Sequence, residues 1–554
     1  MYTKETYLDL MERCLEAYDD ERIARYVSDV KRDGLKEHGF ARLGSNMGIL
    51  IANGRKTEYV DRFIEIMDVC CENMPTVKAA NDFTVKEVIF CIMALEEKGL
   101  FPEKTAYWRE CLATVTPEKT YNVIARTPTD KVHNWACFSA VSEFMRQYIG
   151  LANTEEFVDI QIPTQLQWMD ENGMYRDPND PMVYDLVPRG LLALILHFGY
   201  NGRYRAEVDE RLRRAGLLTL KMQSVTGEIP YGGRSNQFPH NEAHLAVVCE
   251  YEANRYAALG DTDTASAFKR AVDKALESIS LWLTREPIRH IKNRYPTETG
   301  YGCENYAYFD KYMITTASFL YAACLVCDES IPCAETDSDT VYTATTSEHF
   351  HKVFLRSGDY FAEIDTAADP HYDCSGIGRI HKKDAPSVIC LSCPGTATPI
   401  FTLNETEAND FAICPGVETE NGLIFATSRD CGYRVTERGT EGNTAFCRME
   451  CALDGKTLTT ALTLSTEGAE ITVKGDGRVA VMLPAFDFDG ETRSELICGM
   501  HRLTVNYQGY TCRYNTDGEL ADMGKNGGNR NGVYNIFAAT GESSVTVKIE
   551  IYKN

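Results

Sequence analysis

The chain has 554 residues, with 57 Lys and Arg against 81 Asp and Glu, a formal net charge of −24 at neutral pH. That length exceeds what one hydrophobic core supports and predicts two domains, while 44% hydrophobic and 25% charged residues exclude a disordered chain. The acidic balance excludes a general affinity for nucleic acid or anionic membrane, both of which need a basic surface.

The first residues, Met1 to Leu8, have no apolar signal core, and no apolar run is long enough to span a bilayer, so the expectation is a soluble, cytoplasmic protein. From Thr3 to about Glu329 apolar residues recur three and four apart. The segments Tyr7 to Tyr18, Tyr59 to Met74, Thr84 to Glu97, Trp135 to Gly150, Glu155 to Met169, Tyr184 to Phe198, Arg205 to Met222, Leu245 to Leu259, Ala265 to Leu283 and Tyr308 to Val326 read as helices. With less regular segments they make about a dozen helices joined by short loops, a layout of helical hairpins. Many are apolar on more than one face, as an inner ring shielded by an outer one requires.

Beyond Ile331-Pro332 a polar connector, Ala334-Glu-Thr-Asp-Ser-Asp-Thr340, leads into alternating runs rich in Val, Ile and Thr: Lys352 to Arg356, Tyr360 to Ile364, Ser387 to Leu391, Thr457 to Thr463, Glu470 to Val473, Arg478 to Leu483 and Ser544 to Ile551. Short strands without intervening helices predict an antiparallel β-sandwich. The predicted organisation is a two-domain α+β protein: an N-terminal α/α toroid over residues 1–330, a linker over 331–343 and a β-sandwich over 344–554. The twenty cysteines show neither paired CxxC spacing nor a short secreted framework, and Cys324-Leu-Val-Cys327 lies on an apolar helix, so buried reduced thiols are expected.

The densest polar run lies inside the helical part: Glu228-Ile-Pro-Tyr231-Gly-Gly-Arg234-Ser-Asn236-Gln237-Phe-Pro-His240-Asn241-Glu242-Ala-His244. It reads as an irregular loop that opens a helix at Pro239. Such groups are costly to bury without a partner, and a polar ligand would satisfy them. The competing reading is that Asn236, His240 and Asn241 only cap the helix and close the loop. His240 and His244 share a helical face, but Asn241 stands where a zinc protease has its glutamate. His349, His351, His371 and His381 could offer zinc ligands only with a satisfied surrounding shell. No metal and no cofactor is expected.

An α/α toroid followed by a β-sandwich resembles carbohydrate-active enzymes that include heparinase-like polysaccharide lyases. The segments Trp168-Met-Asp170-Glu-Asn-Gly-Met-Tyr175-Arg-Asp177-Pro, Val183-Tyr184-Asp185-Leu-Val-Pro-Arg189, Gly233-Arg-Ser-Asn-Gln-Phe238 and Asn241-Glu-Ala243 are similar to glycoside hydrolase family 154, whose known activity is β-glucuronidase. The resemblance implies an exo-acting hydrolase that removes terminal glucuronic acid.

Hydrolysis needs an acid and a second carboxylate, and Glu242 with Asp185 is the lead pair, since each lies near the start of an apolar helix. Glu304, Tyr308 and His240 are reserves, and Asp170 and Glu171 equally suit a turn. Arg234 and Arg189 offer a planar fork that matches a sugar carboxylate, with Asn236, Gln237 and His240 beside it. Tyr231, Trp135, Tyr306 and Tyr308 could supply ring faces. His133-Asn134-Trp135 is a second polar entry into an apolar helix. Asn134 or Asn241, His133 or His240, and Tyr306 or Tyr308 resemble the set of a toroid lyase, which makes β-elimination the alternative. A non-catalytic glycan-binding protein is the second alternative. The expected partner is a uronic-acid-containing carbohydrate, and the sandwich leaves room for a homo-oligomer.

Overall fold

The structure, a computed structural model, describes residues 2–75, 80–122, 124, 133–335 and 340–554. Helices fill the N-terminal part and antiparallel strands the C-terminal part. The helix Phe309–Val326 is followed, across the connector, by the strand Val341–Thr345. Residues 336–339 of that connector lie outside the described residues.

Among the described residues six helices, Gly39–Ala52, Asn81–Glu97, Trp135–Tyr148, Met182–His197, Pro239–Ala258 and Phe309–Val326, each pack against the next, and the last returns to the first. This closes an inner ring. The helices Lys4–Glu16, Val60–Glu72, Pro102–Ala113, Glu155–Leu166, Arg205–Met222 and Thr262–Leu283 each lie against an inner helix and alternate with the ring along the chain, which makes the α/α toroid. The sequence dictates which helices go inside. Every residue of Gly39–Ala52 is buried, whereas Asp20–Asp33 buries only Ile23, Val27 and Val30 along one stripe. The outer helix Thr262–Leu283 starts at Asp261, whose carboxylate accepts from the Thr264 amide at 3.0 Å.

The strands form sheets of four, eight and five strands. In the eight-stranded sheet the strand Lys456–Leu464 buries Leu458, Thr460, Leu462 and Leu464 and leaves the residues between them partly exposed, the pattern of a sheet with one wet face. The four-stranded sheet differs. Lys352–Ser357 and Tyr360–Asp365, paired antiparallel with Val353 opposite Ile364, are buried at every position. Phe354 and Phe361 pack on Met174, Met182 and Met222 of the toroid, while Val353, Leu355 and Ala362 join the sandwich core. Alternate side chains thus face different domains, and this sheet is the seam between them. The expected strand over Ser387 to Leu391 does not form. Only Leu391 makes a bridge, to Ile380, because these apolar residues are buried as a loop against the sandwich.

All twenty cysteines are free thiols, and all but Cys111, Cys333 and Cys498 are buried. Among the described residues no helix is long and apolar enough to cross a membrane.

Candidate active site

The first turns of the six inner helices converge on one cavity of about 340 Å³. Arg42, Phe83, Asn134, Tyr184, His240 and Tyr312 contribute one side chain from the start of each helix in turn. Helix N-termini carry partial positive charge, and Arg42 and Lys311 add two cations to the wall. Among the described residues no aspartate or glutamate lines it. A space so built favours an anion.

Arg42 is buried, donates to Thr315 Oγ1 at 2.6 Å and bonds the His38 ring. Its guanidinium lies 3.6 Å from Glu87, which also takes Lys86 Nζ at 2.6 Å and the Ser318 hydroxyl at 2.6 Å. His240 is held between Phe238 and Tyr312, ring centres 5.4 and 4.7 Å away. Burial, reinforced by Arg42, keeps His240 far below the usual imidazole range, and its buried Nδ1 has no hydrogen-bond partner among the described residues. It is a neutral imidazole. His244, 3.7 Å from the ring centre of Phe319, is neutral for the same reason, burial first.

Ser235 ties together three tyrosines of the cavity lining. Its Oγ lies 2.8 Å from Tyr312 Oη, 3.1 Å from Tyr306 Oη and 3.2 Å from Tyr184 Oη. Burial raises the pKa of all three phenols, so they stay protonated. The loop holds Ser235 at φ +58° and Gln237 at φ +68°, left-handed conformations that cost about 1–3 kcal/mol each for side chains of this kind. Hydrogen bonds fix them there. The Ser235 amide donates to Glu304 Oε1 at 2.7 Å, and Asn241 Nδ2 donates to the Ser235 carbonyl at 3.0 Å. Arg530, from a loop of the sandwich, grips Glu304 at 2.7 and 3.1 Å. Gly302 admits this approach: its φ is +78°, and a Cβ there would meet the Arg530 carbonyl at 2.6 Å.

The expected catalytic pair stands elsewhere. Glu242 is fully buried, its Oε1 accepting from Lys292 Nζ at 2.8 Å and the Ile229 amide at 3.1 Å. Asp185 accepts from Arg189 Nε at 2.9 Å and the Tyr175 amide at 2.8 Å. Arg189 also donates to Thr219 at 3.0 Å, and a void of about 10 Å³ lies beside Asp185. Neither carboxylate lines the central cavity. The i, i+4 spacing of Asp185 and Arg189 on one helix closes their pair, which removes Arg189 as well from sugar recognition.

Other expected contacts are corrected likewise. Glu304 is a clamp, as described. Arg234 bonds Asp177 and the Pro178 carbonyl and lies 4.5 Å over the Tyr184 ring. Asn236 donates to the Pro230 carbonyl at 3.1 Å and Gln237 to Asn236 at 2.7 Å, so both close the loop. Tyr231 is buried under Lys352, whose ammonium is 3.4 Å from the ring centre. His133 packs on Trp168 at 4.6 Å outside the cavity lining. Tyr308 opens onto a different cavity. His351, His371 and His381 are engaged by Asp365, Asp369 and Ser224.

The polar run from Glu228 is dense because it is the domain junction. Arg379 of the sandwich donates to the Ile229 carbonyl at 2.7 Å and lies 3.2 Å from Glu363 and 3.6 Å from Glu228. Lys352 lies 2.9 Å from Asp365 and 3.2 Å from Glu363, and the Gly233 amide donates to Asp373 at 3.2 Å. A charge of the second domain compensates Glu228, whereas Glu242 and Arg234 are paired within the toroid with Lys292 and Asp177.

Of the sequence candidates, the cavity brings together Asn134, Trp135, His240 and Tyr306. Asn134 Nδ2 donates to Asp177 at 2.8 Å, which orients its amide. Sequence reasoning missed His38, Arg42, Tyr184, His244, Lys311 and Tyr312. His38 and Arg42 carry the signal recognised at His133 and His240, a polar entry into an apolar helix, and Tyr184 was passed over for its neighbour Asp185.

No protein-family model matches the sequence, and no curated protein matches it either, so the similarity to glycoside hydrolase family 154 rests on the motif segments alone. Solved structures do match. Heparinase III is 10% identical, with a TM-score of 0.52 over 100% of this chain and 86% of that one. The chondroitin AC lyase of Streptomyces coelicolor A3 is 12% identical, with a TM-score of 0.50 over 98% of this chain and 83% of that one. What the chain shares with them is the two-domain fold of helical toroid and antiparallel β domain.

Proposed function

We propose that the protein is a lyase that cleaves uronate-containing oligosaccharides or polysaccharides by β-elimination in the cavity at the inner-ring N-termini. One observation carries the reading: the cavity gathers Arg42, Asn134, neutral His240 and protonated Tyr312, and among the described residues no carboxylate lines it. Paired-carboxylate hydrolysis needs two facing carboxyl groups, whereas elimination needs a neutralised sugar carboxylate, a base and an acid. Of the fold neighbours described above, one is a heparinase by name and the other a chondroitin AC lyase solved in complex with chondroitin sulphate, and the second name agrees with a reading that rests on the cavity.

In the proposed reaction the uronate carboxylate lies against Arg42, the Asn134 amide and the helix N-termini, which stabilise the enolate that forms when the C5 proton leaves. The neutral His240 imidazole takes that proton. The C4–O bond breaks as the C4=C5 double bond forms, and the leaving oxygen takes the proton of Tyr312. Arg42 also stabilises the phenolate left behind, and solvent returns both groups to their starting states.

The test is product analysis after incubation with sulfated and unsulfated uronate oligosaccharides. Elimination gives an ultraviolet-absorbing unsaturated uronate and fragments whose masses sum to the substrate. Fragments that sum to one water more would replace this reading with a hydrolase, and binding without turnover would leave a glycan-binding protein.

A further inference from the structure

One cation of the cavity has no task in that reaction. Lys311 lies in the first turn of the helix Phe309–Val326, partly buried, and its ammonium is 5.6 Å from the ring centres of Tyr306 and Tyr308 and 5.9 Å from that of Tyr312. Among the described residues its ammonium makes no hydrogen bond and no ion pair. The acid that acts on it most is Glu37, whose Oε2 already accepts from the Gly39 amide at 2.6 Å. Its neighbours differ. Arg42 has Glu87, Arg234 has Asp177, and Arg22 has Asp310 at 2.7 Å. A partly desolvated ammonium surrounded by aromatic rings and lacking a counter-ion is poorly compensated, and an arriving anion would repair that.

Lys311 also lies between two spaces. Tyr306 lines the central cavity and Tyr308, which is 44% exposed, lines a second one of about 390 Å³ together with Thr297, Asn305, Thr402 and three acids, of which Glu304 is held by Arg530, Asp310 by Arg22, and Glu298 is exposed to solvent. An exposed aromatic face beside hydroxyl and amide groups suits a sugar ring. The arginine of the second cavity, Arg22, is engaged by Asp310, so an acidic group on a sugar held there has Lys311 as its uncommitted cation.

We infer that Lys311 is a specificity-determining residue. It receives a sulfate or carboxylate on the sugar next to the reacting uronate while that sugar lies against Tyr308. The inference rests on the proposed elimination site and adds that the substrate is an acidic oligosaccharide of at least two sugars with an anionic group on each.

Calorimetric titration of the full chain tests it with four probes: a methyl uronide, and uronate disaccharides whose second sugar is neutral, sulfated or carboxylated. The wild-type protein should bind at least one acidic disaccharide roughly tenfold tighter than the neutral one, the scale of one charge-assisted hydrogen bond. The sulfated and carboxylated arms identify the anion. Lys311→Met should abolish the preference, Lys311→Arg should retain most of it, and Tyr308→Ala should weaken all the disaccharides without affecting the methyl uronide. Tyr308 is exposed and Lys311→Arg keeps the charge, so these variants report even where Lys311→Met is unstable. Equal binding of neutral and acidic disaccharides, no binding of any probe, or equal losses for Lys311→Met on methyl uronide and acidic disaccharide would overturn the inference. Turnover separates the two readings. Selective binding without elimination products would refute the lyase and leave Lys311 its role, whereas elimination without selectivity would refute Lys311 alone.

Discussion

His240 and Tyr312 face each other edge to plane, ring centres 4.7 Å apart and planes inclined by 80°. A neutral imidazole and a protonated phenol thus stand side by side, each free to handle a different proton of one sugar. His240→Ala and Tyr312→Phe should each lower kcat by about 10²–10⁴, the usual contribution of a positioned acid or base. Tyr312→Phe gives up the bond to Ser235 at 2.8 Å and should cost only about 1 kcal/mol of stability. The double variant should be little worse than the poorer single one, because residues that act as a unit are non-additive. Steady-state kinetics alongside denaturant unfolding decides this, and a Tyr312→Phe protein with wild-type kcat would remove the phenol from the mechanism.

Asp185 and Arg189 are nearly inaccessible to solvent, so Asp185→Asn leaves a guanidinium buried without its countercharge. Breaking such a pair costs about 3–5 kcal/mol. Urea unfolding should show the toroid losing that much, and replacing both residues, as Asp185→Leu with Arg189→Met, should recover part of it. Activity per folded molecule should be affected far less than by His240→Ala. An Asp185→Asn protein as stable as wild type but catalytically dead would restore the carboxylate to the reaction.

The fold was legible because periodicity reports burial, and burial differs between ring helices, outer helices and strands. Gly39–Ala52 shows the limit. It is buried all round, so its apolar positions have no single stripe to betray it, and Arg42 went unnoticed with it. The site was legible in kind at Asn134, Trp135, His240 and Tyr306, where polar residues precede an apolar helix. It was misplaced at Glu242 and Asp185 because a buried ion pair and a catalytic carboxylate look the same until the partner is known. Lys292 lies 50 positions from Glu242, and Arg379 reaches Ile229 across 150. No local pattern carries contacts of that range.

Arg379 joins the domains through Glu363, Glu228 and the Ile229 carbonyl, and donates to the Ser392 carbonyl at 2.9 Å as well. Arg379→Met should leave Glu363 and Glu228 short of positive charge and loosen the loop that carries Ser235. Hydrogen exchange should then speed up in residues 228–238 before it does in the inner helices, and calorimetry should resolve separate transitions for toroid and sandwich. Unchanged exchange across 228–238 would show that the apolar seam around Phe354 and Phe361 suffices to hold the domains together.

His381 gives the junction a defined response to acid. Burial first, and Arg379 next, push its pKa down to about 3, while its Nδ1 lies 2.7 Å from Ser224 Oγ and its Nε2 has no hydrogen-bond partner among the described residues. In the unfolded chain a histidine titrates near ~6.5. Between those values the unfolded state binds a proton that the native state refuses, so stability is complete above the unfolded pKa and falls as the pH drops, by about 1.4 kcal/mol per pH unit for this residue. Glu228, pulled down to about 2 chiefly by Lys292 against the cost of burial, loses its own contribution only at lower pH. Asp373, pushed up to about 7 by burial, acts with the opposite sign in the same window but is present in both proteins and cancels in a comparison. His381→Gln cannot titrate, so its stability should fall less steeply than that of wild type from pH 6.5 to 5, the two curves converging by about 1.4 kcal/mol per unit. Parallel curves from urea unfolding at several pH values would mean that native His381 accepts the proton at the same pH as the unfolded chain, and that the junction opens to water there.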